Sequence, residues 1–490
     1  MNLGQLAAAC RATLRGDATL PVAGVTHRSQ DVRPGWLFAA LPGQHRHGIE
    51  FAAEAAGRGA TAVLSDREPP VPLAWLASEQ PRRAAALASW ALAGSPQRRL
   101  QLVGITGTNG KSTIADLVGG IADRAGVSAG VFGTLAYRLP RRSEPAGRTT
   151  PEAPDLAPLL AELVATGGTV AVMEVSSHAL RLERVAGLEF DVAVWTNLTR
   201  DHLDFHRDLD DYFAAKASLA DLLRVTPPGR RVIGADDPTI ARLAEASRPG
   251  DLTFGLRPGR SVTAADVRLT NTGTSFRLIA PSGERAVTLP LIGRHNLRNA
   301  LAAAAVAEAL GWPLDAVADG LAAAAPLPGR LELVDAGTPF PVFVDYAHTP
   351  DALAQVIEAL RETSDRRLIV VFGAGGDRDP GKRAPMGEVV ARAADVPIVT
   401  SDNPRTEDPD RIIAQVLEGV RRADNPRALV IADRREAIAA ALSMADERSL
   451  VLVAGKGHER RQLFADRAVP FEDREVVREV AREVARRRKA

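Results

Sequence analysis

A glycine-rich segment has the composition of a phosphate-binding loop. The sequence LQLVGITGTNGKSTIADLV joins an apolar run of strand length to this loop and then to a helical pattern. Gly107 and Gly110 allow backbone N–H groups to face an anion. Lys111 supplies charge for the β- and γ-phosphates, and Ser112 can ligate Mg²⁺ where the helix begins. Ile105 replaces the first glycine of the common motif, giving G-x-x-G-x-x-G-K-S, but the flanking strand and helix indicate ATP binding.

A carboxylate and an imidazole follow two further apolar runs. VAVMEVSS places Glu174 at the end of one run, and WTNLTRDHLDFH places Asp201, His202, Asp204 and His206 after the next. Because neighbouring parallel strands end at one edge of a sheet, we expect Glu174 and His202 near the phosphate loop. This pair suits a Mg²⁺ held mostly by substrate phosphates. The DHLDFH run alternatively suggests a transition-metal hydrolase, but the partner histidine cluster is missing, which favours Mg²⁺.

Lysine is rare in this chain. Only five of its 61 Lys and Arg residues are lysines, namely Lys111, Lys216, Lys382, Lys456 and Lys489. Unlike arginine, lysine can lose its proton and react as an amine. Lys216 lies in DYFAAKASL among small and apolar residues, where an ammonium must snorkel, pair with an anion or change chemically. Its retention there indicates amine chemistry, whose kind the residues alone leave open.

The pattern of strands and helices predicts an α/β protein of three domains, with a central doubly wound P-loop ATPase-like domain and a C-terminal Rossmann-like domain. We expect boundaries that give domains of residues 1–98, 99–328 and 329–490. In the first domain the predicted strands are VAGVTH, GWLFAAL and TAVLSD. In the second they are LQLVGIT, VAVMEVSS, DVAVWTNL and RVIGADD, followed by an antiparallel set of DLTFGL, VTAADVRL, SFRLIAP and RAVTLPL. In the third they are FPVFVDYAH, RRLIVVFGAGG, VPIVTSDNPR, RALVIAD and SLVLVAGKGHE.

Composition limits the partners. The net charge of +1 leaves no global basic field to attract nucleic acid or an anionic membrane. Cys10 is the single cysteine, which excludes an intrachain disulfide and a cysteine zinc cluster. No apolar run approaches about 20 residues and no basic n-region precedes the first apolar stretch. We therefore expect a cytoplasmic protein with small-molecule substrates, no membrane insertion and a monomeric state.

In this order the motifs closely resemble those of the Mur ligases, the ATP-dependent enzymes that form amide bonds in peptidoglycan precursor synthesis. The resemblance covers essentially the whole chain and rests on GTNGKS, TTPEAPD, EVSSH, TNLTRDHLDFH, DYFAAK, GRHNLRNALAA, PGR, DYAHTPDAL, GAGGDRDPGKR, SDNPR and AGKGHE. Within the family, VTHRSQDVRPGWLFAALPG, SDNPR and GKGHE resemble the branch that adds a diamino acid to UDP-N-acetylmuramoyl-L-alanyl-D-glutamate. The three domains would then recognise UDP, bind ATP and bind the amino acid, respectively.

The resemblance also implies roles for individual residues. Catalytic roles fall to Lys111, Glu174, His202 and Lys216. ATP would be held by Thr106, Gly107, Thr108, Asn109, Gly110, Lys111, Ser112, Thr113, Asn299, Arg330, Asp345 and His348. Mg²⁺ would be held by Ser112, Glu174, His202 and Lys216, the last as a carbamate formed from CO₂. The UDP precursor would contact Ser29, Thr149, Thr150, Ser176 and Arg184, while Leu182 and Gln30 depart from the family pattern.

The incoming amino acid would contact Arg378, Asp402, Asn403, Pro404, Arg405, Gly455 and Glu459. Arg405 follows the strand VPIVT and offers a planar fork for a carboxylate, which favours meso-2,6-diaminopimelate over L-lysine. L-Lysine and L-ornithine stay as alternative substrates, and Arg405 could instead pair with Glu407 or Asp408. Two more distant alternatives are a folylpolyglutamate synthetase, which lacks the N-terminal unit, and a nucleotide-binding regulatory module that has lost catalysis.

Overall fold

The computed structural model describes residues 1–43, 46–246 and 248–489, which form three α/β regions. The N-terminal region contains helices α1 (Leu3–Cys10), α2 (Ala52–Gly57) and α3 (Pro81–Leu92), and strands β1 (Thr13–Arg15), β2 (Gly24–Thr26), β3 (Trp36–Ala39), β4 (Ala60–Ser65) and β5 (Ala74–Ala77). Its sheet has the order β1-β5-β4-β3-β2, parallel except at β1. The three predicted strands are β2, β3 and β4, whereas the short β1 and β5 were not predicted.

The central region is built on an eight-stranded sheet. Its strands are β6 (Gln101–Thr106), β7 (Ala129–Phe132), β8 (Ala136–Leu139), β9 (Arg142–Pro145), β10 (Val170–Glu174), β11 (Val192–Trp195), β12 (Arg230–Gly234) and β13 (Leu252–Phe254). The helices are α4 (Lys111–Arg124), α5 (Ala153–Ala165), α6 (Ser177–Arg181), α7 (Leu209–Ala217) and α8 (Pro238–Glu245). The order is β13-β12-β11-β6-β10-β7-β8-β9, antiparallel only at β8 and β9.

Two expectations about this sheet need correction. The strands β10 and β11 do not pair with each other, because β6 lies between them. Their carboxyl ends still meet at one edge, on either side of the phosphate loop. DLTFGL is not part of the antiparallel set: it forms β13, which pairs in parallel with β12. Its buried Leu252 and Phe254 pack into the core of the main sheet. The prediction was wrong because an alternating pattern of apolar residues does not reveal whether a strand pairs in parallel or antiparallel.

A three-stranded antiparallel sheet and two helices complete the central region. They are β14 (Thr263–Thr270), β15 (Gly273–Ala280), β16 (Gly283–Leu289), α9 (Arg294–Leu310) and α10 (Leu314–Ala322). The alanines of α9 from Ala300 to Ala307 are buried against α4 and the main sheet. Small side chains let this helix approach closely, which brings its first turn to the phosphate loop.

The C-terminal region has a six-stranded sheet. Its strands are β17 (Glu332–Leu333), β18 (Val342–Asp345), β19 (Arg367–Phe372), β20 (Val396–Val399), β21 (Leu429–Val430) and β22 (Ser449–Ala454), followed by the hairpin β23 (Arg461–Leu463) and β24 (Ala468–Pro470). The helices are α11 (Pro350–Thr363), α12 (Arg383–Ala393), α13 (Pro409–Arg422), α14 (Arg434–Met444) and α15 (Asp473–Lys489). The order β17-β18-β22-β19-β20-β21 is parallel except at β17. None of the helices in the described ranges has the length and apolar character needed to cross a membrane.

Candidate active site

The phosphate loop requires glycine at two positions. It runs from the end of β6 to the start of α4, and Gly107 and Gly110 have φ of +149° and +89°. A Cβ on Gly107 would lie 1.8 Å from Thr196 Oγ1, and one on Gly110 would lie 2.4 Å from Asn299 Oδ1. Both the left-handed backbone and the close neighbours therefore exclude side chains. Asn299, in the first turns of α9, thereby lies against the loop, and its contact with a nucleotide stays a prediction.

The segment after β11 holds this loop in place. Asn197 Oδ1 accepts a hydrogen bond from the Asn109 backbone N–H at 2.9 Å, and Thr196 Oγ1 donates to the Asn109 carbonyl at 2.7 Å. Thr108 Oγ1 donates to the Thr199 carbonyl at 3.2 Å. Because side chains and backbone of both segments are interlocked, the loop is preorganised for an anion. Thr106, the last residue of β6, is fully buried beneath it.

Lys111 and Lys216 converge on the underside of the loop. Lys111 Nζ donates to the carbonyl oxygens of Gly107 and Thr108, each at 2.9 Å, and Lys216 Nζ donates to the same Gly107 oxygen at 2.8 Å. Lys216 is only 2% exposed. Burial, and then the positive charge of Lys111, lower the pKa of Lys216 well below its ordinary value. This shift favours the neutral, nucleophilic amine over the ammonium.

Glu174 lies beside the loop with its carboxylate held by three donors. Glu174 Oε1 accepts hydrogen bonds from Ser112 Oγ at 2.8 Å and from the Thr134 backbone N–H at 2.7 Å, and Oε2 accepts one from Thr134 Oγ1 at 3.1 Å. His202, which has φ of +57°, faces the same cavity. Burial lowers the pKa of His202 to about 3, so its imidazole is neutral and able to bind a metal.

A cavity of about 300 Å³ joins most of the predicted nucleotide and metal residues. Its walls include Thr108, Asn109, Gly110, Lys111, Ser112, Thr113, Glu174, His202, Asn299, Arg330, Asp345 and His348, together with Thr149, Ser176 and Arg378. A second cavity of about 400 Å³ adjoins it and shares Asn109, Gly110 and Asn299. Its walls include Phe254 and the amides of Asn197 and Gln355, together with the charged side chains of Asp236, Asp237, Asp351 and Arg298. The two cavities together offer room for the phosphates and for the nucleoside of one nucleotide.

The C-terminal region closes these cavities. Arg330 stacks over the Tyr346 ring at 4.7 Å, and Asp345 accepts hydrogen bonds from two backbone N–H groups. Burial raises the pKa of Asp345, opposed by the charge of Arg330. His348 Nε2 lies 3.8 Å from Asp201 Oδ2, and burial followed by the charge of Lys382 lowers the pKa of His348 to about 4.

The residues predicted for the precursor separate into two places. Thr149 Oγ1 lies 3.0 Å from Thr134 Oγ1 at the rim of the 300 Å³ cavity. Thr150 is fully buried, and its hydroxyl donates to the Glu174 carbonyl and accepts from the Ser176 N–H. Arg184 donates to the Thr150 carbonyl at 3.3 Å. Thr150 and Arg184 thus stabilise the edge of the site, because these polar groups already form hydrogen bonds within the protein.

The remaining precursor residue lies elsewhere. Ser29 is in the N-terminal region, where its hydroxyl donates to Glu54 Oε2 at 2.7 Å, outside the cavity beside the phosphate loop. Three arginines converge near Thr150 on the buried Glu152, which bridges the regions: Arg82 at 2.5 Å, Arg184 at 3.0 Å and Arg148 at 3.5 Å. One carboxylate facing three guanidinium groups leaves this junction positively charged.

The residues predicted for the amino acid form a third cluster. Asp402, Asn403 and Pro404 are buried after β20, and Gly455, with φ of +117°, follows β22. A Cβ on Gly455 would lie 2.5 Å from Asp402 Oδ2, so the two loops pack directly on one another. Glu459 accepts a hydrogen bond from Asn403 Nδ2 at 2.6 Å. The loops are thus one structural unit.

Arg405 does not pair with Glu407 or Asp408. Arg405 Nη1 donates to the Gly376 carbonyl at 2.5 Å, and over the described residues its guanidinium forms no ion pair. Glu407 instead pairs with Arg383, and Asp408 caps α13. The other predicted arginine, Arg378, lies 3.6 Å from Asp204 Oδ2 and reaches the phosphate-side cavity.

Several residues of the site escaped sequence interpretation. Thr134 holds Glu174, but its loop carries no distinctive pattern. Asp351, at the start of α11, accepts hydrogen bonds from Asn109 Nδ2 at 3.0 Å and Gln355 Nε2 at 2.8 Å. Asp351 lies in the DYAHTPDAL motif, and this motif was the sequence feature from which it could have been identified. Within the described ranges, no three His, Cys, Asp or Glu side chains are grouped to hold a metal by themselves.

The fold and this site define a three-domain, ATP-dependent amide ligase. Family models match the chain as "Mur ligase family, catalytic domain" at residues 21–93, "Mur ligase middle domain" at 105–307 and "Mur ligase, glutamate ligase domain" at 329–457. The chain belongs to the Mur ligase family.

Individual relatives agree. The chain is 44% identical over 485 residues to UDP-N-acetylmuramoyl-L-alanyl-D-glutamate--2,6-diaminopimelate ligase of Solibacter usitatus, with 98% of each protein covered. It is 44% identical over 477 residues to the protein of that name from Streptomyces coelicolor, covering 94% of this chain and 93% of the relative. A solved structure bearing that name is 32% identical, with a TM-score of 0.67 and 99% of both chains covered. The predicted family and fold class are confirmed.

Proposed function

We propose that this ligase joins meso-2,6-diaminopimelate to UDP-N-acetylmuramoyl-L-alanyl-D-glutamate with hydrolysis of ATP to ADP and phosphate. The observation that carries the choice of amino acid is Arg405 in the amino-acid loop, whose guanidinium forms no ion pair within the described residues. The relatives named for 2,6-diaminopimelate support it. The family and the small-molecule reaction suit a cytoplasmic monomer divided into domains of residues 1–98, 99–328 and 329–490.

The reaction is an acyl transfer in two steps. The side-chain carboxylate of D-glutamate attacks the γ-phosphorus, so that a carboxylate O–P bond forms and the bond to the ADP oxygen breaks. The amine of the amino acid then attacks the acyl carbon, loses a proton and displaces phosphate. Lys111 and the loop N–H groups stabilise charge on the phosphoryl oxygens. The adjoining 400 Å³ cavity would hold the nucleoside, with Asn299 between base and phosphates.

The residues around Glu174 fit Mg²⁺. Ser112 Oγ, the Glu174 carboxylate and the neutral His202 imidazole supply oxygen and nitrogen donors beside the loop. Their small number fits an ion whose remaining ligands come from ATP and water. When bound, Mg²⁺ would neutralise charge on the phosphate oxygens. Thr134 keeps Glu174 in place through two hydrogen bonds.

Lys216 fits a carbamate. Its neutral amine would attack CO₂ to form an N–C bond and release one proton, which leaves an anionic oxygen ligand next to Lys111. Burial and the neighbouring charge of Lys111 support this assignment, because both disfavour an ammonium at Lys216, whereas an anionic carbamate would be attracted to Lys111. The carbamate would then be a further ligand for Mg²⁺.

The precursor would span the N-terminal and central regions. We assign its uridine end to Ser29 and its sugar and peptide portion to Thr149, Ser176 and the positively charged junction with Arg184. The buried Thr150 supports that surface through its backbone and hydroxyl contacts. The reacting carboxylate would then lie between Thr149 and Lys111, which both face the 300 Å³ cavity.

The diamino acid would bind between the loops after β20 and β22. Arg405 and Arg378 would receive carboxylates, and Glu459 would receive an ammonium. L-Lysine lacks the second carboxylate, so one guanidinium, of the half-buried Arg405 or of the 47% exposed Arg378, would stay without a partner. A buried polar group left without its partner can discriminate between substrates by several orders of magnitude.

A phosphate-release assay tests the proposal. The purified enzyme receives ATP, Mg²⁺ and the UDP-dipeptide precursor, with meso-diaminopimelate, L-lysine or L-ornithine added in competition. We expect phosphate release only when precursor and amino acid are both present, with diaminopimelate preferred. Preference for lysine or ornithine would contradict the assignment of diaminopimelate as the substrate, but it would leave the ligase assignment unaffected. Activity on a folate and glutamate, or nucleotide binding without turnover, would contradict the ligase assignment to peptidoglycan precursors.

A further inference from the structure

Lys456 is a lysine that the reaction described above does not use. It lies between β22 and β23, and its side chain is 0% exposed. Lys456 Nζ donates to the Arg461 carbonyl at 2.7 Å, to Asn403 Oδ1 at 3.0 Å and to Glu459 Oε2 at 3.1 Å. An ammonium has three N–H donors, and here each has one acceptor.

Three side chains form a closed ring of contacts. Asn403 bonds to Lys456 through Oδ1 and to Glu459 through Nδ2, while Lys456 bonds directly to Glu459. Asn403 Oδ1 also accepts the Leu463 N–H at 3.0 Å, which fixes the orientation of the amide. The loop after β20, the loop after β22 and the strand β23 therefore meet at one point.

The ring leaves one oxygen of Glu459 for a ligand. Both Lys456 and Asn403 donate to Oε2, and no donor in the described ranges bonds to Oε1. The Glu459 side chain is 30% exposed, so a ligand can reach part of it from solvent. Lys456 is also its only ion-pair partner across the described residues. The cation thus fixes one oxygen and offsets the charge, while the other oxygen stays accessible.

The geometry of this position suits lysine and not arginine. A guanidinium carries five N–H donors in a plane, and a fully buried pocket with three acceptors around one point would leave donors unsatisfied. The chain uses arginine for almost every other cation.

We propose that Lys456 is a positioning residue for the incoming amino acid. It holds Asn403 and Glu459 as one unit, so that Glu459 Oε1 receives the substrate's ammonium in a fixed direction. This inference rests on the proposed function, because it deepens the description of the amino-acid site. Lys456 does not line either of the two cavities assigned to ATP.

Steady-state kinetics of Lys456→Met test the proposal. Partners that orient a ligating side chain in metal sites are worth about 10- to 100-fold when removed, and we expect a similar scale here. The KM for diaminopimelate should rise by about tenfold or more, while the KM values for ATP and precursor stay within about twofold. The control is Arg231→Met, which removes a buried cation paired with Asp251 in the central region. It should lower the thermal unfolding midpoint and leave all three KM values unchanged.

A double-mutant cycle with Glu459→Gln distinguishes positioning from general destabilisation. If Lys456 acts through Glu459, the effect of Lys456→Met on the KM for diaminopimelate should shrink several-fold in the Glu459→Gln background. Independent, multiplicative effects would overturn the proposal, as would an unchanged KM for the amino acid. KM does not depend on the amount of folded enzyme, and Lys456→Gln replaces the methionine variant if that variant does not fold. If the unmutated enzyme prefers lysine or ornithine, the substrate proposal is wrong and the cycle is measured with that amino acid.

Discussion

Arg200 Nε, in the segment after β11, donates to Asp379 Oδ2 of the C-terminal region at 2.9 Å. Two further ion pairs join the same segments: Lys382 Nζ lies 3.6 Å from Asp201 Oδ1, and Arg378 Nη1 lies 3.6 Å from Asp204 Oδ2. The sequences RDHLD and RDPGK thus have complementary charges across the active-site cavity. These contacts favour the closed arrangement in which phosphate loop and amino-acid loops face each other.

Reversal of one charge in this interface should open the enzyme. Arg200 is 46% exposed and Asp379 only 6%, so Arg200→Glu places a carboxylate beside a nearly buried one. We expect kcat to fall several-fold and the radius of gyration measured by small-angle X-ray scattering to increase. Arg411→Glu, on the exposed surface of α13, makes the same charge change away from the interface and should alter neither quantity. Identical behaviour of the two variants would show that the ion pairs do not maintain closure.

The carbamate on Lys216 predicts a specific pattern of rescue. Lys216→Ala should lose activity because the anionic ligand is gone, and small carboxylates such as formate or acetate should partly restore it. Lys216→Arg should stay inactive, since a guanidinium cannot form the carbamate. Turnover measured with and without added carboxylate checks this. Full activity of the arginine variant would contradict the modification.

Lys111 and Glu174 should act mainly in the transition state. Lys111→Ala or Glu174→Gln removes stabilisation of charge that develops on the phosphoryl group, so kcat should fall by about 100-fold or more. The KM for the precursor should change little by comparison. The measurement is a full kinetic analysis with each substrate varied in turn. A variant with normal kcat and only a raised KM for ATP would disprove this assignment.

A buried ion pair in the C-terminal region predicts a stability effect separate from catalysis. Arg434 and Asp473 are both fully buried and form two hydrogen bonds, at 2.8 and 2.7 Å. Asp473→Ala leaves the guanidinium without its partner and should cost about 3–5 kcal/mol of unfolding free energy. The double variant Arg434→Met with Asp473→Leu should recover much of that loss. Denaturant unfolding of the three proteins measures both effects, and an equal loss in single and double variants would argue against a charge-burial cause.

The sequence predicted those parts of the site that are local in the chain. The strand, the glycine loop and Lys111 are contiguous, so their pattern alone predicts a phosphate site. Glu174 and His202 were predicted to share an edge because parallel strands end together. The position of β6 between their strands was not predictable, since strand order depends on packing of the whole sheet.

The other contacts that the sequence did not predict join segments that are distant along the chain. Thr134 meets Glu174, and Asp351 meets Asn109, only after distant segments fold together. Thr134 carries no periodic or spacing signal, and the DYAHTPDAL motif that contains Asp351 does not indicate Asn109 as its partner. Lys456 was conspicuous as a rare lysine, but its three acceptors come from separate loops.

Arg405 should determine which amino acid is accepted. It has φ of +51° and is held by β23, whose Leu463 carbonyl accepts the Arg405 N–H at 2.9 Å. Its guanidinium donates to the Gly376 carbonyl and forms no ion pair in the described part of the chain, so it can bind a carboxylate of the substrate. Arg405→Ala should therefore raise the KM for diaminopimelate by about 100-fold or more and change use of L-lysine much less.

The matched control for Arg405 is Arg383→Met. Arg383 is a nearby buried arginine whose guanidinium already pairs with Glu407, so it is not available to bind a substrate carboxylate. Its loss should reduce stability without changing the ratio of kcat/KM for diaminopimelate to that for lysine. The competition assay measures this ratio in all three enzymes. If Arg405→Ala leaves the ratio unchanged, the guanidinium does not read the second carboxylate, and the preference for diaminopimelate must come from other residues of the two loops.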